Sequence, residues 1–92
     1  LSDSEIRRMV DQWLTENQFV ETEEQGQVCY QHRRRCMEYT IANQTVTLYV
    51  YLKYRNRTAG LESHRVGMID AMSYLNILTP LFTELGMHSV DG

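Results

Sequence analysis

The densest run of reactive side chains is VCYQHRRRCMEY, residues 28–39. Two thiols, one imidazole and three guanidinium groups fall between Cys29 and Cys36. Those types admit metal ligation, a disulfide, a grip on phosphate, or a plain hairpin tip. Cys29, His32 and Cys36, with His64 as a remote fourth ligand, would make a zinc set. The spacing C-x2-H-x3-C matches no standard zinc pattern. Period-two alternation also sends His32 to the face opposite both thiols, so no metal site is expected. Cys29 and Cys36 share a face but stand diagonally, at the margin of bridging distance. The expectation is a pair of reduced, buried thiols.

Catalysis needs a nucleophile beside a base, or paired acids in a cleft. Cys36 has no histidine on its face. Asp3, Asp11 and Glu16 fall on the polar side of a helix, and Met68, Met72 and Tyr74 read as core. There is no glycine-rich phosphate loop, and a domain this small has little room for a substrate pocket. The chain therefore reads as a non-enzymatic protein without catalytic residues or cofactor.

The net charge of −3 conceals a polarity. Residues 1–24 hold seven acids and two arginines, residues 29–65 hold seven bases and two acids, and the rest holds three acids and no base. Eight of the nine bases are arginine, the side chain suited to bidentate contact with phosphate or carboxylate. A basic tract on an acidic chain points to a localised anionic partner instead of general adhesion to polyanions.

The elements that must position these groups follow from spacing. Ser2 and Glu5 form a capping box, with Leu1 and Ile6 as its staple. Ile6, Met9, Val10, Trp13 and Leu14 make one helical stripe over about residues 3–16. Phe19 and Val20 start an ambiguous edge strand, because the acids that follow are poor strand formers. From Val28 to Tyr54 the period is two. Turns at Arg33-Arg34 and Asn43-Gln44 align Tyr30 with Met37, Met37 with Val50, Tyr39 with Leu48 and Ile41 with Val46, so every apolar face coincides. RNRTAGLESH reads as a polar loop. Val66, Ile69, Met72, Leu75 and Leu78 then mark the core face of a second helix, with Ser63 as N-cap, a kink or restart at Thr79-Pro80, and Gly86 as its end.

The expected fold is a single α+β domain over residues 1–92. It has two layers, an antiparallel three- or four-stranded meander on an N-terminal and a C-terminal helix. This order is shared with double-stranded-RNA-binding domains. Their usual turn motif and the lysines of their second helix are absent, so the shared order implies no function here.

This register gathers Arg33, Arg34, Arg35, Lys53, Arg55, Arg57 and Arg65 at one end of the sheet, beside the start of the second helix. Tyr49 and Tyr51 stand on the sheet face turned from the helices, as interface or packing groups. The expected function is a protein-interaction module (inhibitor, adaptor or dimerisation domain) whose arginine pole docks an anionic surface. The expected partner is a protein or a second copy. The alternative is a nucleic-acid-binding module that grips phosphate. No apolar run is long enough for a membrane span and no signal peptide is visible, which favours the cytoplasm. The sequons at Asn43 and Asn56 matter only for a secreted protein.

Overall fold

The computed structural model describes residues 1–55, 57–61 and 68–86. Helix α1 spans Asp3–Glu16. It starts where the sequence predicts. Ser2 Oγ accepts from the Glu5 amide at 3.2 Å, and the Glu5 carboxylate accepts from the Ser2 amide at 3.4 Å. Both bonds satisfy backbone donors that a helix start leaves unpaired. The apolar stripe buries Ile6, Val10, Trp13 and Leu14.

Five strands follow: β1 (Val20–Glu24), β2 (Gln27–His32), β3 (Arg35–Ala42), β4 (Thr45–Tyr54) and β5 (Arg57–Gly60). They form one antiparallel sheet in chain order, so β3 is central and β1 and β5 are the edges. Two residues separate each pair of adjacent strands. Gln25, Gly26, Arg33, Asn43 and Gln44 all take positive φ. Two-residue hairpins demand this, because only such turns match the twist of the strands they join. The register is the expected one: Tyr30 pairs with Met37, Met37 with Val50, Tyr39 with Leu48 and Ile41 with Val46.

The sheet has five strands where three or four are expected. The ambiguous acidic segment pairs as β1, and the stretch read as a polar loop contains β5. Strand β5 has only four residues and buries one side chain, Ala59, opposite Leu52. So short a strand with one apolar residue leaves no alternation to read. With five strands between the helices, the shared order with double-stranded-RNA-binding domains lapses.

Helix α2 (Met68–Leu85) completes a two-layer α+β domain. Its core face corrects the sequence reading. Ala71, Tyr74, Leu78 and Leu81 are buried. Ile69 is 84% exposed, and Met68, Met72 and Leu75 are also exposed. Of the expected stripe, only Leu78 enters the core, and Val66 lies outside the described residues. The reason is local. Ala71 is small and buried in the core cluster, and the Tyr74 hydroxyl donates to the Cys36 carbonyl at 2.7 Å. Burying a tyrosine is tolerable when its hydroxyl finds a partner. Trp13 ties the helices together by donating its indole N–H to the Ile77 carbonyl at 3.1 Å.

Pro80 does not end α2, which runs through it. Thr79 donates its hydroxyl to the Leu75 carbonyl at 2.8 Å instead of capping a new turn. Pro80 itself is exposed, so its ring meets solvent on the outer side. Gly86 ends the helix as expected, at φ +66° with its amide bonded to the Thr83 carbonyl. The expected cap at Ser63 lies outside the described residues.

Candidate functional site: an arginine pole beside an apolar helix face

The β2–β3 turn is Arg33-Arg34, and Arg35 opens β3. Strand β4 returns to this end. Its Leu52 pairs with Arg35, and its Lys53 amide donates to the Arg34 carbonyl at 2.7 Å. Two positions on, Tyr54 and Arg57 face each other across β4 and β5. The guanidinium of Arg34 lies 5.4 Å from the Tyr54 ring centroid, and that of Arg57 lies 5.5 Å from it. Arg34 and Arg57, distant in sequence, thus share one aromatic ring. Each gains a cation–π contact from it.

Helix α2 supplies the opposite wall. Tyr54 donates its hydroxyl to Asp70 Oδ2 at 3.2 Å, and the same oxygen stands 3.9 Å from Arg34. Both members of that ion pair are largely solvated, so it contributes little to stability. Arg35 is held more firmly. Its Nη2 donates to Ser73 Oγ at 2.6 Å, and its guanidinium lies 5.9 Å from the Tyr74 ring centroid. Burial, with the Cys36 thiol nearby, pushes the Tyr74 hydroxyl far above its ordinary value, although Arg35 pulls it down. Tyr74 therefore remains a donor throughout the ordinary pH range.

A cleft of about 330 Å³ opens between the two walls, bounded by His32, the three consecutive arginines, Leu52, Asp70 and Ser73. The other expected pole residues divide. Arg57 joins through Tyr54, and Arg55 is exposed in the β4–β5 turn. Lys53 contributes its backbone, but alternation carries its side chain to the sheet face turned from the helices. Arg65 lies outside the described residues. Tyr54, Asp70, Ser73 and His32 were not among the expected pole residues. Strand alternation could have placed Tyr54 between the arginines, and the i, i+3 spacing of Asp70 and Ser73 marks one helix flank.

The open face of the sheet separates its two expected tyrosines. Tyr49 is 57% exposed. Tyr51 is half-buried, and its hydroxyl donates to Glu38 Oε2 at 2.8 Å. Burial, and then that bond, push the Tyr51 hydroxyl well above its ordinary value. Tyr51 is committed to packing within the sheet, and only Tyr49 is presented. Cys29 and Cys36 are buried on this face and form no disulfide, with Thr22 Oγ1 3.0 Å from Cys29 Sγ. His32 lies on the helix side, its ring centroid 6.1 Å from that of Phe19. Among the described residues no three metal-ligating side chains converge.

The outer face of α2 was not foreseen as a surface. Met68, Ile69, Met72 and Leu75 cover its first two turns, and Asn76, Thr79, Pro80 and Thr83 continue it without a charge. Asp70 and Ser73, which line the cleft, alternate along those same turns with Ile69 and Met72. The apolar face and the arginine pole are therefore neighbours. No helix among the described residues is long and apolar enough to cross a membrane. No family model, curated protein or solved structure matches the chain.

Proposed function

We propose that this protein is a non-enzymatic interaction module that docks an acidic amphipathic helix of a partner protein. The outer face of α2 takes the helix's apolar ridge, and the arginine pole takes its carboxylates. One observation carries this reading: four large apolar side chains, Met68, Ile69, Met72 and Leu75, stand exposed on one helix face. Contiguous apolar surface of this kind marks interaction sites in soluble domains. Methionine suits such a face because its flexible thioether adapts to different partner surfaces. The sign of the adjoining charge selects the partner. Arg33 and Arg34 line the cleft beside Asp70 and Ser73 of α2 and favour an acidic segment over a basic one.

The test uses the methionine methyl groups as reporters. A synthetic helical peptide with a leucine ridge flanked by glutamates is titrated into protein carrying 13C-methyl methionine, beside the same peptide with lysines for glutamates. The glutamate peptide shifts the Met68 and Met72 methyls, while Met37, fully buried, stays unmoved as internal control. Met72→Glu abolishes the shift, and raised salt weakens it. Equal binding of the lysine peptide overturns the reading. Self-association at high salt that covers the same methyls assigns the face to a second copy. Steeply salt-dependent binding of mixed RNA that leaves both methyls unmoved establishes the nucleic-acid alternative in its place.

A further inference from the structure

The structure assigns the cleft between Arg34, Arg35 and Ser73 as a receptor for a phosphate monoester carried on a side chain of the docked partner. This rests on the docking reading above and names the group that its arginine pole takes. Three features of the cleft support it. First, the arginines are positioned before any ligand arrives. Arg35 is fixed by the Ser73 hydroxyl at 2.6 Å and by the Tyr74 ring, and Arg34 by the Tyr54 ring. Held guanidinium forks lose little freedom on gripping a tetrahedral oxyanion. Second, Ser73 Oγ accepts from Arg35, which leaves its own proton to donate to an oxyanion.

Third, the charge count selects the anion. Among the described residues, three arginines, Arg33, Arg34 and Arg35, line the cleft against one acid, Asp70. The formal surplus is two positive charges. A phosphate monoester brings roughly two negative charges at neutral pH, whereas a diester or a carboxylate brings one and leaves the cleft positive. The volume of about 330 Å³ holds a phosphate with its linking atoms. Among the described residues that line the cleft, Asp70 is the only one that opposes an anion, so its removal is informative. Asp70 also draws on Arg34 and Tyr54, and a bound phosphate competes with it for Arg34.

The test follows the side-chain Nε–H resonances of the arginines. The probes are an N-acetylated phosphoserine amide, the same compound without phosphate, inorganic phosphate and dimethyl phosphate. The phosphoserine compound shifts Arg34 and Arg35 saturably, and its unphosphorylated form does not. Dimethyl phosphate binds roughly tenfold or more weakly, since it offers half the charge. Arg34→Ala weakens the phosphoserine compound by roughly tenfold. Arg35→Lys, which keeps the charge but loses the fork, also weakens it, while Asp70→Asn tightens it. Equal affinity for dimethyl phosphate, or weaker binding by Asp70→Asn, overturns the assignment of a monoester site. Inorganic phosphate binding as tightly as the phosphoserine compound overturns its assignment to a protein side chain. Peptide docking is read at the Met68 and Met72 methyls and phosphate binding at the Arg34 and Arg35 Nε–H resonances of the same wild-type protein, so loss of one and loss of the other are separately visible.

Discussion

The two helices pack on the same face of the sheet yet present opposite characters to solvent. The outer side of α1 carries Asp3, Arg7, Arg8, Asp11, Gln12 and Glu16, and its apolar residues all turn inward or stay half-buried. The outer side of α2 carries Met68, Ile69, Met72 and Leu75, and no basic residue lies among its described positions. The difference teaches what hydrophobic periodicity can reveal. In α1 the polar side defines the buried side by contrast, so the stripe can be read from spacing alone. In α2 apolar residues occupy both sides, and spacing offers two stripes without a means of choosing. Ala71 and Tyr74 decide the matter, one by being small and the other by having a hydroxyl that reaches the Cys36 carbonyl. Neither property registers in a count of apolar positions.

The largest expected effect separates the two sides of α2 directly. Leu78 is fully buried in the core cluster, and replacing it by alanine removes packed atoms and leaves a cavity. Leu78→Ala lowers stability by about 2–5 kcal/mol. Met72→Ala, one and a half turns away on the outer side, changes it by about 0.5 kcal/mol or less. Urea unfolding followed by Trp13 fluorescence reads both values. A large loss for Met72→Ala would mean that the outer side is covered in the isolated protein, and the contrast between the helices would fail.

An intermediate effect compares how each helix is tied to the sheet. A tyrosine hydroxyl does it in both cases. Tyr74 of α2 donates to the Cys36 carbonyl at 2.7 Å in the buried core, and Tyr39 of β3 donates to Asp11 Oδ1 of α1 at 2.7 Å near solvent. Tyr74→Phe removes a hydrogen bond made away from water and costs about 0.5–1.5 kcal/mol. Tyr39→Phe leaves Asp11 to be hydrated and costs about 1 kcal/mol or less. The same unfolding measurement ranks them, and the reverse order would place the tighter attachment on α1.

The same contrast explains how much of the molecule was legible in the sequence. The capping box at Ser2 and Glu5 uses two fixed spacings, and the register of β2 to β4 follows from the agreement of several apolar faces at once. Both signals are redundant, so both could be read. The meeting of Arg34 with Arg57 followed from that register, although Tyr54, the ring that joins them, was overlooked between two basic neighbours. Strand β5 depends on one buried alanine, and the facing of α2 depends on one hydroxyl. Features that rest on a single contact leave no periodic trace. The cleft belongs to this second kind, since its far wall, Asp70 and Ser73, takes its place only once α2 has chosen its buried side.

The smallest effect belongs to the start of α1. Ser2→Ala removes the acceptor for the Glu5 amide and costs about 1 kcal/mol at neutral pH, the usual magnitude for a lost N-cap. Its pH dependence distinguishes a capping box from a cap alone. The Ser2 hydroxyl donates to the Glu5 carboxylate at 3.0 Å, and the Ser2 amide donates to it as well. These bonds, the side-chain one foremost, hold the Glu5 carboxyl below its ordinary 4.5. A carboxyl depressed in the folded state adds stability that is complete above its unfolded value and is lost as pH falls through the folded one. The difference between wild type and Ser2→Ala should therefore be constant from neutral pH down to about 5 and shrink below about 4.5, as Glu5 protonates and ceases to accept. Urea unfolding at a series of acidic pH values reads that difference. A difference that stays constant to pH 3 would show that Ser2 caps alone, with the Glu5 carboxylate left to solvent like the other acids on the outer side of α1.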